Sequence, residues 1–384
     1  MKKNVFKLLL PAILLMAFIS CNDPIFYMIS NEIEMVKPRI DGTPTNFVEF
    51  GGDIFVASGS TLHSYEGDNK WSLPNPVPPG GKILRLAVTE NYFYAICEES
   101  NGSIVLKRTG NTESLTWNKV PETDSLKINS IFGVGNKLFF STYNNDESYT
   151  IHCIDDDITS DITEIIKKEK DDISSSSSLV LRGVVFDGIN YYICTNNEIF
   201  YTDDPTSPGA NKISVLDKDN KEIILQFMGI INLKNTINTI VAITRDGKLF
   251  YVTPSGINAN LAVTEFSDDR LSTGALAVWT DGTNHLLLVG RQDISYSTSS
   301  GFTYGYVEID FDDSGIRNDP GFREPGIETI SSVNDHTKYV NSIGKNPVNH
   351  IILAPDGILF ASTQKNGVWS YRKRNEVYQW NAEE

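Results

Sequence analysis

Cysteine is scarce in this sequence, with four residues among 384. Apart from Cys21, the chain contains only Cys97, Cys153 and Cys194, and an odd, sparse set does not make a disulfide framework. Cys97 and Cys194 each end an apolar run, so we predict buried free thiols. Nucleophile elbows, phosphate loops and dinucleotide fingerprints are missing, and the five histidines lack metal-binding spacing. The sequence therefore predicts no catalytic residue and no cofactor.

Basic residues are also in short supply. Lysine and arginine number 33 against 49 aspartates and glutamates, which gives a formal charge of −16 at pH 7. Nucleic-acid binding needs a basic surface, so we expect no nucleic-acid partner. The same deficit argues against an electrostatic attachment to anionic lipids. We expect a monomer.

Long apolar runs are absent beyond the N-terminus. There, three early lysines precede the apolar run Leu8–Ile19. A run of this length is too short for a hydrocarbon core of about 30 Å, which needs about 20 residues. A basic start followed by a short apolar stretch predicts a signal peptide, which we place at residues 1–20.

The residues Phe18-Ile19-Ser20-Cys21 resemble the lipobox of bacterial lipoproteins. This resemblance implies cleavage between Ser20 and Cys21, a diacylglyceryl group on the Cys21 sulfur and an acyl chain on its new amino group. Several acyl chains anchor a protein stably, whereas one does so marginally. We therefore expect a lipid-anchored protein of the bacterial cell envelope, at the outer membrane or cell surface, with residues 21–44 as a leader. The alternative is an ordinary secretory signal with Cys21 as an incidental thiol.

Short apolar runs separated by tight turns repeat along the rest of the chain. One unit contains four of them, Phe47–Phe50, Ile54–Ser58, Leu62–Tyr65 and Lys70–Leu73. Its second run recurs in six further places, each followed by a polar turn and usually by an aromatic-rich third run. Four-strand units of about 40–50 residues are typical of β-propeller blades.

We therefore predict an all-β fold, a β-propeller over residues 45–384 with seven blades of four antiparallel strands. The predicted blades begin near Phe47, Ile83, Ile128, Val180, Phe227, Ala275 and His350. Eight blades are the alternative, if Asp310–Asn346 contains a degenerate blade. The repeat type is either sialidase-like or kelch-like.

One turn resembles the Asp-box of sialidase-like propellers. Ser297, Gly301, Thr303 and Tyr304 match its pattern, while Ser299 replaces the aspartate. We place this turn between the third and fourth strands of its blade, where Asp-boxes lie. Asp-boxes are structural turns, so the resemblance implies a fold and not an activity.

Two segments interrupt the repeat, at 155–178 and 310–346. In the first, Ile162, Ile165 and Ile166 have helical spacing and predict a short helix before a serine-rich loop. The second begins with Asp310, Asp312 and Ser314, which are spaced as in a calcium loop but lack its final bidentate acid. We favour solvated acidic turns over a calcium site in both segments. The two insertions are candidate contact elements.

A non-catalytic propeller that binds a protein or glycan partner at the cell envelope is the function that these features favour. Fold alone does not establish function. The alternatives are a sialidase-like or lactonase-like hydrolase and an outer-membrane assembly factor. Sialidases need three arginines and a Tyr–Glu pair, and Arg39-Ile40 resembles only the start of their arginine motif. A neutral or mixed lining of the propeller axis would favour binding, and a convergent charged cluster would favour catalysis.

Overall fold

Strands make up nearly all of the regular structure in this computed structural model. It describes residues 40–383 apart from gaps at 68–69, 72–78, 111–115, 121–122, 124–125, 144–147, 157–161, 169–179, 207–210, 214, 216–222, 234–235, 245–248, 254–255, 264–269, 281–284, 294–305, 313–314, 317–342, 344–346 and 375–376. Within these residues, no helix has the length and apolarity needed to cross a membrane. The strands are β1 Val48–Phe50, β2 Asp53–Ser58, β3 Thr61–Tyr65, β4 Lys82–Val88, β5 Tyr92–Glu98, β6 Ile104–Gly110, β7 Asn118–Lys119, β8 Lys127–Val134, β9 Lys137–Tyr143, β10 Tyr149–Asp155, β11 Ile162–Lys168, β12 Gly183–Phe186, β13 Tyr191–Cys194, β14 Ile199–Thr202, β15 Asn211–Ile213, β16 Leu225–Leu233, β17 Thr236–Thr244, β18 Leu249–Thr253, β19 Gly256–Val263, β20 Arg270–Thr280, β21 His285–Asp293, β22 Tyr306–Asp312, β23 Gly315–Ile316, β24 Val348–Leu353, β25 Leu359–Thr363, β26 Val368–Arg374 and β27 Val377–Ala382.

The strands form a β-propeller, as the repeat predicts. Consecutive strands pair antiparallel into six four-stranded sheets and one three-stranded sheet, which we number 1 to 7 in chain order. Sheet 1 has three strands, and the fourth predicted for it is represented by a single bridge between Tyr65 and Trp71. The first strands of successive sheets contact one another, from β1 and β4 through to β20 and β24, and so form the inner wall of the ring. Strand β20 contacts β24 directly, so sheets 6 and 7 are neighbours in the ring.

The core lies between neighbouring sheets. Alternate side chains of each second strand point to opposite faces and therefore enter two different clusters. In β5, Phe93 packs on Phe55 of sheet 1, with ring centroids 5.0 Å apart, while Tyr94 joins Leu138 of sheet 3 on the other face. Each sheet therefore buries both faces only because it has neighbours on both sides.

Residues 40–47 help to close the ring between sheets 7 and 1. The backbone nitrogen of Val368 donates to the Ile40 carbonyl oxygen at 3.0 Å, and Gly42 bridges to Asn366 in parallel. The Tyr65 hydroxyl donates to Asp356 at 2.6 Å across the same junction. The described end of the segment that the sequence indicates as the leader, from Ile40, is therefore in contact with the ring.

Inner strands approach one another closely at glycine positions. A Cβ atom added to Gly133 of β8 would lie 1.7 Å from the Val88 carbonyl oxygen of β4. The same addition at Gly183 would lie 2.4 Å from the Met228 carbonyl oxygen of sheet 5. Because real Cβ contacts are much longer, only glycine fits these two junctions without a backbone shift.

One prediction about a particular segment is wrong. The helix predicted around Ile162 is strand β11, the fourth strand of sheet 3. Its pairing with β10 shifts register around Ile165, because Ile166 pairs with Ile151 and Glu164 with His152. A bulge changes the side-chain period of a strand, which is why three isoleucines imitate a helix there. The insertion at 155–178 therefore contains a blade strand and is not wholly a loop.

In sheet 6, β21 continues through Asp293 and pairs antiparallel with β22. The Asp-box-like turn predicted for this blade falls at residues 297–304, which lie outside the described residues.

Candidate functional site

A β-bulge recurs near the start of the inner strands. In sheet 2, Ile83 pairs with Cys97 and Arg85 with Ile96, so Leu84 is the extra residue. Sheets 3, 5 and 7 carry the same irregularity. In sheet 4, Gly183 pairs with Cys194 while the Arg182 backbone nitrogen also donates to the Cys194 carbonyl oxygen at 2.7 Å. The five residue pairs at this position, here named the bulge ring, are Leu84-Arg85, Asn129-Ser130, Arg182-Gly183, Gln226-Phe227 and Asn349-His350.

The burial pattern explains why each bulge forms. Every bulge pair stands between two buried apolar residues three positions apart, as with Ile83 and Leu86, which are 3% and 1% exposed. In a regular strand, positions i and i+3 lie on opposite faces. An extra residue places both apolar side chains on the same buried face and changes the direction of the two side chains between them. The inner strands therefore present variable side chains at one end of the ring axis, where all first strands begin.

Arg85 extends from sheet 2 to sheet 3. Its Nε donates to the Ile131 carbonyl oxygen at 3.2 Å, and its guanidinium carbon lies 4.3 Å from the centroid of the Phe132 ring. These contacts orient the guanidinium group and leave its two terminal nitrogens without a partner among the described residues.

Arg182 is held similarly in sheet 4. Its Nε donates to the Asn196 side-chain oxygen at 2.7 Å, and its terminal nitrogens have no partner in the part of the chain that the structure describes. The neighbouring Leu181 nitrogen is 3.4 Å from the Ser141 hydroxyl of sheet 3. Sheets 3 and 4 therefore fix the start of this inner strand together.

His350 brings sheet 7 to the same end of the axis. Its Nδ1 accepts from the Phe47 backbone nitrogen at 3.3 Å, and the two rings lie 5.8 Å apart. Because Nδ1 accepts, the neutral imidazole carries its proton on Nε2, which makes Nε2 a donor.

Charge effects connect these three residues across the ring. Loss of hydration, followed by the positive charge of Arg182, lowers the pKa of Arg85 to about 10. Loss of hydration, followed by the charge of Arg85, lowers the pKa of His350 to about 3. Residues from sheets 2, 4 and 7 can influence one another only where the sheets converge, near the axis. At neutral pH the cluster therefore has two cations and a neutral imidazole.

The other members of the bulge ring are neutral. Asn129 accepts from Ser141, and Ser130 lies 2.5 Å from the same Ser141 hydroxyl. Beside the bulge ring, the side chain of Asn46, which precedes β1, bonds both backbone groups of Leu86, donating at 2.8 Å and accepting at 3.1 Å. The lining is therefore mixed, with a cationic part on sheets 2 and 4.

None of the candidate site residues named from the sequence lies in this cluster, although His350 was predicted as the start of a blade. Ser20, Cys21 and the Asp-box-like residues Ser297, Gly301, Thr303 and Tyr304 lie outside the described residues. Asp310 and Asp312 belong to strand β22, and Ser314 lies outside the described part. Among the described residues, no three histidine, cysteine or acidic side chains are grouped to hold a metal ion.

The acidic segment at Asp155 has structural contacts. The Asp155 carboxylate pairs with Lys137, and Asp156 accepts from the Tyr94 hydroxyl at 2.6 Å and from Thr89. The Asp155 pair lies within sheet 3, whereas the Asp156 bonds join sheet 3 to sheet 2. The remaining acidic residues of this segment, at 157–161, lie outside the described residues.

The three remaining cysteines are free and buried, as predicted. Loss of hydration raises the pKa of Cys97 to about 11 and that of Cys153 to about 12, and it also raises the pKa of Cys194. These thiols are protonated at neutral pH and belong to the core.

Comparison with known proteins shows a shared fold. No family model and no curated protein matches the chain. Among solved structures, the chain is similar to the extracellular domain of a protein from B. thetaiotaomicron named as a hybrid two-component system, with a TM-score of 0.55 and 13% identity over 87% of this chain and 39% of that chain. A structure from the same organism, named as the extracellular domain of a one-component system, gives a TM-score of 0.51 and 12% identity with the same coverage. This chain thus spans about two fifths of those chains, and identities at this level show the propeller fold alone.

Proposed function

We propose that this protein is a non-catalytic binding propeller of the bacterial cell envelope, which is anchored by lipid on Cys21 and takes a protein or glycan partner at the bulge ring. The observation that carries the proposal is the mixed lining of that ring. It combines oriented guanidinium groups with neutral amides and hydroxyls on a rigid set of inner strands. A rigid scaffold that presents variable side chains at one mouth is suited to recognition.

The protonation states favour binding over proton-transfer chemistry. A general acid or base works best when its pKa lies near the working pH. The pKa values of Arg85 and His350, about 10 and about 3, lie far from neutrality on opposite sides. Neither Arg85 nor Arg182 forms an ion pair with a carboxylate among the described residues. The cluster thus provides donors that hold a ligand and no described acid that would cleave it.

A binding and turnover assay tests this proposal. The full mature chain with Cys21→Ser is offered a panel of envelope glycans and purified envelope proteins, and binding is measured by calorimetry. The recovered ligands are then analysed by mass spectrometry. We expect saturable binding with chemically unchanged ligand, and weaker binding in Arg182→Gln. Hydrolysis of a bound glycan or lactone, lost in the same variant, would instead establish the hydrolase alternative.

A further inference from the structure

We propose that Arg85, Arg182 and His350 form a subsite for an oxyanion, the carboxylate or sulfate group of a small acidic sugar. The inference rests on the proposed function, because it specifies which ligand chemistry the bulge ring takes. It follows from the donor inventory, the orientation of the two guanidinium groups and the charge of the rest of the protein.

The subsite consists of donors only. Each arginine uses Nε for a protein acceptor, at the Ile131 carbonyl oxygen and at the Asn196 side chain, and retains its terminal nitrogens. His350 uses Nδ1 as an acceptor and retains Nε2–H. A ligand group that satisfies such a set must supply lone pairs. Carboxylate and sulfate oxygens supply them with a negative charge and make stronger hydrogen bonds to guanidinium groups than neutral sugar hydroxyls do.

The two guanidinium groups are also fixed in advance. Arg85 is stacked on Phe132 and bonded to sheet 3, and Arg182 is bonded within sheet 4. A fixed planar guanidinium group binds an oxyanion through two parallel hydrogen bonds with little further loss of side-chain freedom. Neither group has a described carboxylate partner, so both are available to pair with a bound oxyanion.

Apolar side chains beside the cations favour a small organic acid over a free inorganic ion. Leu84 adjoins Arg85 in its bulge pair and is 40% exposed, and Ile224 precedes the sheet 5 bulge and is 47% exposed. Both lie at the end of the inner strands where the bulge ring lies. They offer contact surface to the carbon skeleton of a sugar ring.

The charge of the whole molecule restricts the size of the ligand. A formal charge of −16 repels large polyanions at a distance, while screening over about 8 Å at physiological salt limits this repulsion for a small ligand at the axis. The local cations then act at short range. The subsite therefore fits an acidic monosaccharide or a short oligosaccharide.

Calorimetry on the full mature chain with Cys21→Ser tests the subsite with glucuronate, glucose 6-sulfate and neutral glucose as probes. The first two distinguish a carboxylate from a sulfate source, and inorganic phosphate serves as the free-ion arm. Arg182→Gln should weaken binding of the preferred acidic sugar by about 10- to 100-fold, as expected for lost hydrogen bonds to a charged group. Arg182→Lys keeps the charge but loses the planar guanidinium group. Its affinity for the acidic sugar should therefore lie between those of the parent and Arg182→Gln.

Lys212→Gln is the matched control, because Lys212 is an exposed cation on the outer strand of the same sheet as Arg182. It should bind the acidic sugar as the parent does. Arg85→Gln should weaken binding of the acidic sugar as Arg182→Gln does. If Arg85→Gln does not fold, Arg85→Lys, which retains the positive charge, takes its place. The subsite is overturned if neither acidic sugar binds more tightly than glucose, if free phosphate binds as tightly as both, or if Arg182→Gln and Lys212→Gln behave alike. If neutral glycans still bind in those cases, the proposed function stands while the subsite fails.

Discussion

Substituting Gly133 tests the close packing of the inner strands. An alanine Cβ at this position would lie 1.7 Å from the Val88 carbonyl oxygen and 2.5 Å from the Val88 carbonyl carbon. Ordinary contacts need more than 3 Å, and the obstacle is backbone and not a flexible side chain. Strands β4 and β8 must therefore separate by more than 1 Å at this point, which also weakens the contacts that Arg85 makes with sheet 3.

Overpacking that moves backbone costs about 3 kcal/mol at the upper end of the usual range. In a domain of this size, the melting temperature falls by about 2 °C for each kcal/mol of lost stability. Gly133→Ala should therefore melt about 6 °C below the parent. Thermal and urea unfolding of the mature chain with Cys21→Ser, followed by circular dichroism, measures the change.

Gly110→Ala is the control for this experiment. Gly110 ends strand β6, as Gly133 lies next to the end of β8, and it has an ordinary φ, but nothing lies within 4 Å of its added Cβ. Its substitution should be neutral or slightly stabilising, because alanine loses less backbone entropy than glycine on folding. Equal melting temperatures for the two variants would refute the close approach of β4 and β8.

Three further predictions concern the anchor, the axis and the thiols. Cys21→Ala should abolish incorporation of labelled palmitate and partition into detergent, and label retained on the variant would contradict lipidation. His350 has a folded pKa near 3, below its ordinary value of 6.5, so the stability that its neutral form contributes is lost as pH falls from about 6.5 towards 3. His350→Asn keeps an acceptor but does not titrate. As pH falls across that window, its free energy of unfolding should therefore rise by at least about 1 kcal/mol relative to that of the parent, as measured by urea unfolding. Cys97, Cys153 and Cys194 should react with a thiol reagent at pH 8 only after unfolding, and rapid labelling of the native protein would show that the core placement is wrong.

The repeat was predictable because blade strands are local features. Apolar runs ended by polar turns placed the starts of sheets 2 and 3 at Ile83 and Ile128, and the strands begin at Lys82 and Lys127. Where the local pattern is ambiguous, the prediction failed. The isoleucines near Ile162 have the same spacing in a bulged strand as on a helix, and pairing with β10 decides between the two.

By itself, the sequence determined the fold class, the strand order and the burial of the three thiols, because side-chain alternation and turn chemistry act between near neighbours. The tertiary structure alone decided the bulge ring and its cationic part. Arg85, Arg182 and His350 share no motif, and each looks like an ordinary residue within its own strand. They come together because the ring closes, as when Phe47 donates to His350 from 303 positions away. Loss of hydration at the axis then sets their charge states, and hydration there depends on the convergence of all the sheets.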